Sequence, residues 1–178
     1  VRRRGSEAQG THRQGLSGIA ARRGARNAER RRGVETSLLK DKVPPYNEEA
    51  EVASLGALLL DPEALPTVLQ YLRPEDFYRR ANQQVYEAII ALSNDAQGID
   101  LITVTERLRQ QGTLESCGGA AYIARLTSAV PTSANVEYYA RIVQACSIRR
   151  SLTRIASQII ANSYDQSLQV SYIIEEAE

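Results

Sequence analysis

The sequence predicts an all-α protein: a compact multi-helix head, a long antiparallel helical hairpin behind it, and a disordered basic tail in front. Three observations carry this. No segment alternates apolar and polar residues with period two, while Leu, Ile, Val and Ala recur at steps of three and four from residue 52 onward. Proline and glycine punctuate these stripes at helix-length intervals, at Pro62, Pro74, Gly98, Gly112, Gly118 and Pro131. Charge divides the chain: residues 1–42 carry 12 basic groups and four acids, net +8, and residues 43–178 carry 10 basic and 17 acidic groups, net −7.

The tail comes first. Residues 1–42 hold six of the eleven glycines, no proline and no aromatic residue. Such a segment buries too little apolar surface to offset its chain entropy, so disorder is expected. The boundary falls at Val43-Pro44-Pro45, because a Pro pair is extended and stops any preceding helix. Two readings of the tail stay open. Clustered arginines release counterions from phosphates, as in a nucleic-acid-binding arm. A solvated extension from an upstream start site or an expression tag is the favoured reading, because no aromatic residue interleaves the arginines to stack on bases.

The helices of residues 43–178 follow in order. Asn47 is an N-cap, and Glu48, Glu49 and Glu51 favour the helix dipole in the first turns. Val52, Leu55 and Leu59 then stripe a first helix, broken at Asp61-Pro62. Leu65, Val68, Leu69 and Leu72 make a short second one. Arg73-Pro74-Glu75-Asp76 restarts the chain and sends Phe77 and Tyr78 inward. Val85, Ile89 and Leu92 stripe a third helix ending near Asn94, and Gly98 closes the loop after it. Thr103-x-x-Glu106 reads as a capping box opening a fourth helix, which Gly112 ends. Gly118-Gly119 precedes a fifth with Tyr122, Ile123 and Leu126. Pro131 stops it, and Ser133 or Asn135 caps a long sixth helix over about residues 136–162. After Asp165-Gln166-Ser167, Ser167 caps a last helix through Tyr172, Ile173 and Ile174. The head therefore spans about 43–134 and the hairpin about 135–178, the chain ending as if cut inside or just after an element.

On the long helix, Ala145, Ile148, Leu152, Ile155 and Ile159 fall at steps of three, four, three and four, a narrow seam of coiled-coil type. One short partner helix cannot cover it, and leaving such side chains wet forfeits roughly 1.5–3 kcal/mol each. The seam predicts a two-fold contact with the same hairpin of another copy. Arg141, Arg149, Arg150 and Arg154 lie on the opposite surface, as a solvated face or as ion-pairing groups.

Catalytic chemistry finds no footing. The one histidine, His12, lies in the tail, which excludes a His-based triad and a multi-His metal site in the folded part. Cys117 and Cys146 cannot make a disulfide framework or a four-ligand zinc site; both read as structural thiols. No Gly-x-x-x-x-Gly-Lys-Ser/Thr occurs, so no P-loop is present. No apolar run approaches the ~20 residues of a membrane span, and the N-terminus lacks the apolar stretch of a secretory signal. No cofactor or metal is expected in this chain. What remains is an interaction module.

A set of short motifs runs in order through that module. It begins with Pro44-Pro45 and Glu49-Ala50-Glu51, then Leu55-Gly56-Ala57-Leu58-Leu59-Leu60-Asp61, Asp76-Phe77-Tyr78 and Val85-Tyr86. It continues with Ile99-Asp100-Leu101-Ile102-Thr103-Val104, Gly112-x-Leu114-Glu115 and Gly118-Gly119-x-x-Tyr122-Ile123. It closes with Pro131-Thr132-Ser133-Ala134-Asn135 and Tyr138-Tyr139-Ala140-x-Ile142-Val143. In this order and spacing, residues 43–178 resemble the N-terminal domain of the bacterial replicative DNA helicase, the DnaB family.

The resemblance implies a helical head and hairpin, with hairpins pairing between neighbours and six copies forming a collar as a trimer of dimers. It implies a ring of ATP- and Mg-dependent motor domains, absent from this sequence, as the part that unwinds and mainly contacts DNA. The implied partners are the C-terminal helicase-binding domain of primase and, in some bacteria, a helicase loader, in the bacterial cytoplasm at the replisome. For primase, it directs attention to exposed groups of the head: Asp100, Thr103, Arg107, Tyr122 and Arg125. A stand-alone helical adaptor that regulates helicase or primase is the alternative to a collar domain.

Overall fold

The computed structural model describes residues 42–177. The chain divides into two units, Val1–Val43 and Pro44–Glu178, and the second is the one described. The expectations for the basic tail and His12 lie outside the described residues.

The described residues form seven α-helices and no strand: α1 Glu48–Leu60, α2 Leu65–Val68, α3 Arg80–Asn94, α4 Leu101–Gln110, α5 Gly119–Ser128, α6 Val136–Tyr164 and α7 Val170–Ala177. Short 3-10 turns, Pro62–Ala64 and Pro74–Asp76, lead into the chain after α1 and before α3. The Asn47 side-chain carbonyl accepts the Ala50 N–H at 2.9 Å and starts α1 as a cap should. This helix is apolar on nearly every side: Leu55, Gly56, Ala57, Leu58 and Leu59 are all buried. It is the central rod of the head, with α3, α5 and α6 packed around it. Val85, Tyr86, Ile89 and Leu92 of α3, Val104 and Leu108 of α4, and Ile123 and Leu126 of α5 close the core. Phe77 completes it, with its ring centroid 5.1 Å from that of Tyr86.

Four local details differ from the sequence expectation. Tyr78 is exposed, not inward, and stacks on Tyr46 at 4.7 Å. Leu69 lies past the end of α2, which has only four residues, and faces solvent while Leu72 is buried. The cap of α4 is Asp100, three residues earlier than Thr103: its carboxylate accepts from the Ile102 and Thr103 N–H groups at 2.8 Å each. Thr103 instead supplies the returning half of the box, accepting the Asp100 N–H at 2.9 Å. Ser133 and Ser167 do not cap helices. The Ser133 hydroxyl donates to Asp61 at 3.0 Å, and the Ser167 hydroxyl donates to Asp165 at 2.6 Å.

Helix α6 serves two ends. Val136, Ala140, Val143 and Cys146 are buried against the head at steps of four, three and three. From Ser147 onward no described residue is fully buried. The head thus takes in the first half of α6, and the part of the hairpin that projects beyond the head begins near Arg150. Helix α7 returns against α6.

Candidate interaction surface

The projecting half of α6 carries the seam on its surface. Ile148, Leu152 and Ile155 are 53%, 60% and 41% exposed. Ala145 is also exposed, and Ile159 is half-buried. Ile160 and Tyr164 on α6, and Val170, Tyr172 and Ile174 on α7, add further exposed apolar side chains. The step-of-three-and-four reading passed over Ile160 because it selects one residue per turn, whereas a wide apolar face takes neighbours too.

The arginines do not form one solvated face. Arg141 pairs with Glu137 at 2.7 Å and lies 4.9 Å over the Tyr71 ring. The Tyr71 hydroxyl donates to Glu137 at 2.8 Å, and that bond, with Arg141, holds the Glu137 carboxyl below its ordinary range. Arg150 donates to the Pro45 carbonyl at 2.9 Å and the Asp76 carbonyl at 2.5 Å. Arg149 and Arg154 are exposed.

On the head, most of the residues singled out for primase have work inside the fold. Asp100 and Thr103 form the α4 cap just described, and the Thr103 N–H holds the Asp100 carboxyl below its usual value. Arg107 pairs with Asp95 at 2.6 Å and donates to Gln97 at 3.1 Å. Tyr122 is buried, and burial pushes its phenol up. Its hydroxyl donates to the Asn82 side-chain carbonyl, whose amide donates to Glu51 at 2.7 Å. Arg125 is exposed, with its guanidinium 5.1 Å above the Tyr122 ring. Beside Asp100, Ile102 stands 76% exposed. Helices α4 and α5, which carry these residues, pack together.

Glu51 is the functional group that sequence reasoning misplaced. It is a buried carboxylate, 1% exposed, which also accepts the Tyr78 N–H at 2.7 Å. With Asn82 and Tyr122 it ties α1, α3, α5 and the Phe77–Tyr78 turn together. Such a charge survives burial only when its lone pairs are filled, as here. The available signal was its spacing: Glu51 precedes Leu55 by four and Leu58 by seven, on the buried stripe. Cys117 is a buried thiol 3.1 Å from the Gln84 side-chain oxygen, and burial raises its pKa. No group of three or more His, Cys, Asp or Glu residues among the described ones could hold a metal ion. None of the described helices is long and apolar enough to cross a membrane.

A helical head with a projecting apolar hairpin can be compared directly with known proteins. Residues 43–145 match the model of the DnaB-like helicase N terminal domain. The chain belongs to that family. Replicative DNA helicase DnaC of Bacillus subtilis (strain 168) is 43% identical over 143 residues, 80% of this chain and 32% of that protein. Replicative DNA helicase DnaB of Treponema pallidum (strain Nichols) is 43% identical over the same length, 33% of its own. The chain thus spans about a third of these curated relatives. The crystal structure of the N-terminal domain of DnaB helicase from Mycobacterium tuberculosis superposes with a TM-score of 0.73 at 38% identity, covering 76% of this chain and 95% of that one. A structure of a DnaB-like replicative helicase, solved with attention to its interactions with primase, gives a TM-score of 0.61 at 27% identity over 74% of this chain and 32% of that one. The DnaB-type head and hairpin are therefore the fold of this domain.

Proposed function

We propose that this DnaB-family domain is the collar of a hexameric replicative DNA helicase, joining copies through its hairpin and recruiting primase to its head. One observation supports self-association above the rest: Ile148, Leu152 and Ile155 lie in a row on a helix that has left the head. Complete burial of such side chains stabilises by roughly 1.5–3 kcal/mol each, and about half of each remains to be buried. A two-fold contact counts every side chain twice, giving roughly 4–9 kcal/mol before costs. Rigid-body association costs about 4–15 kcal/mol, so the seam alone makes a weak pair. Ile160, Tyr172 and Ile174 supply the extra apolar area that a stable pair needs.

Sedimentation of the full chain tests this reading. Twice the monomer mass or more at high micromolar concentration is expected, and a strict monomer there overturns it. The primase half draws support from the relative solved with its primase interactions. Of the five head residues, Arg125 is the exposed charge that neither caps a helix nor makes an ion pair among the described residues. An immobilised chain should capture the C-terminal domain of primase, and Arg125→Glu should weaken capture. Equal capture by both forms removes α5 from the docking face. ATP and Mg belong to the motor domain of a complete helicase, as does most DNA contact, and a helicase loader would act on the same assembly at the replisome.

A further inference from the structure

Three segments meet at one side chain where the hairpin leaves the head. The Arg150 guanidinium donates from one nitrogen to the carbonyl of Pro45, in the lead-in before α1, and from the other to the carbonyl of Asp76, in the turn before α3. It also lies 5.7 Å over the Tyr78 ring. Tyr78 stacks on Tyr46 with centroids 4.7 Å apart and planes 18° from parallel. One turn earlier on α6, the Ser147 hydroxyl donates to the Asp76 carboxylate at 2.6 Å. The Tyr78 N–H in turn donates to the buried Glu51. Among bonds between described residues, the Pro45 carbonyl carries the one hydrogen bond of segment 42–46.

Past Arg150, α6 has no fully buried residue, so this cluster is its last fixed point on the head. A planar guanidinium can bridge two carbonyls and stack on a ring at once, which an ammonium cannot. We propose that Pro45–Tyr46 is a strap, buckled by Arg150 against Tyr78, that sets the angle at which the hairpin leaves the head. Displacing the strap releases the hairpin to swing. The device ties residues 45–46 to the hairpin within one chain, whether or not copies pair.

The test reads the angle. Ala161 lies eleven residues beyond Arg150, about 16 Å along the axis, so a hinge of about 20° at Arg150 moves it by about 6 Å. Spin labels are placed through keto-bearing noncanonical residues at Glu87 and Ala161, both exposed, leaving Cys117 and Cys146 untouched. The labelled full chain is mixed with a large excess of unlabelled chain, so that only the intramolecular distance is read. The unaltered chain should give one narrow distance. Arg150→Ala should broaden or shift it by about 6 Å, the displacement of that hinge; Arg150→Lys and Tyr46→Ala should do so less. Deleting residues 1–46 should reproduce Arg150→Ala, and deleting residues 1–43 should not. An unchanged distance in Arg150→Ala overturns the proposal. If that variant melts the head, the two deletions decide, and identical distances in both overturn it.

Discussion

Gly56→Ala is the perturbation whose sign is most informative. In an exposed helix, replacing Gly by Ala stabilises by about 1 kcal/mol, because Gly loses more backbone entropy on folding. Here a Cβ at residue 56 would stand 2.2 Å from the carbonyl oxygen of Leu126, 3.2 Å from its carbon and 3.3 Å from a Val130 methyl. Real Cβ contacts essentially never fall below 3.0 Å. The obstructing atom is backbone, so α1 and α5 must part by about 0.8 Å, the difference of those two distances. Leu55, Leu58, Ile123 and Leu126 are wholly buried on either side of that contact and lose packing together. A contact 0.8 Å too short against backbone lies at the upper end of the overpacking range, about 3 kcal/mol, against the helix gain of about 1 kcal/mol. The net expectation is a loss of about 2 kcal/mol and a fall in Tm of about 8 °C for a domain of this size. Urea titration and thermal melting followed by far-UV circular dichroism measure both. Gly98→Ala, with nothing within 4 Å of its Cβ, should stay within about 0.5 kcal/mol of the parent. A neutral or stabilising Gly56→Ala would refute the close approach of α1 and α5.

Other expectations concern the head. Tyr122→Phe leaves the buried Asn82 carbonyl without its donor and should cost about 1–3 kcal/mol in urea unfolding; unchanged stability means the Glu51–Asn82–Tyr122 chain holds nothing. Asp100→Ala removes the α4 cap and should cost about 1 kcal/mol, with Asp100→Asn much milder. Because the folded pKa of Asp100 is depressed, its contribution is complete above the unfolded value of about 3.9 and fades as pH falls through the folded one. The stability gap between the parent and Asp100→Asn should therefore shrink on acidification below about pH 4, and a gap that grows there contradicts the cap.

Much of this fold was legible in the sequence, for a physical reason. Helix caps and breakers act within four residues, so Asn47, Pro62, Gly112 and Pro131 could be read locally, and the structure places α1, α4, α5 and α6 where they imply. The α4 cap and Ser167 were misread among near neighbours; three other errors lie where a long-range partner decides. Tyr78 faces out because Tyr46 and Arg150 cover its ring from two distant segments. Ser133 turns from its own helix to Asp61, 72 residues away. Glu51 carries the same charge as Glu48 and Glu49, yet its position on the Leu55–Leu58 stripe sends it inward to Asn82. The exposed apolar row on α6 was readable because it is periodic. The head residues were not, since nothing local tells that Tyr122 reaches Asn82 while Arg125, one turn on, stays outside.

Self-association through the hairpin is the claim on which the collar reading depends. Leu152 touches solvent over 60% of its surface in the single chain, so Leu152→Asp should leave the head's Tm unchanged. Sedimentation equilibrium of the two full chains over the same micromolar range is the direct measurement. The account predicts a paired parent and a monomeric Leu152→Asp. Pairing that persists undiminished in the variant, with the same dissociation constant, contradicts it.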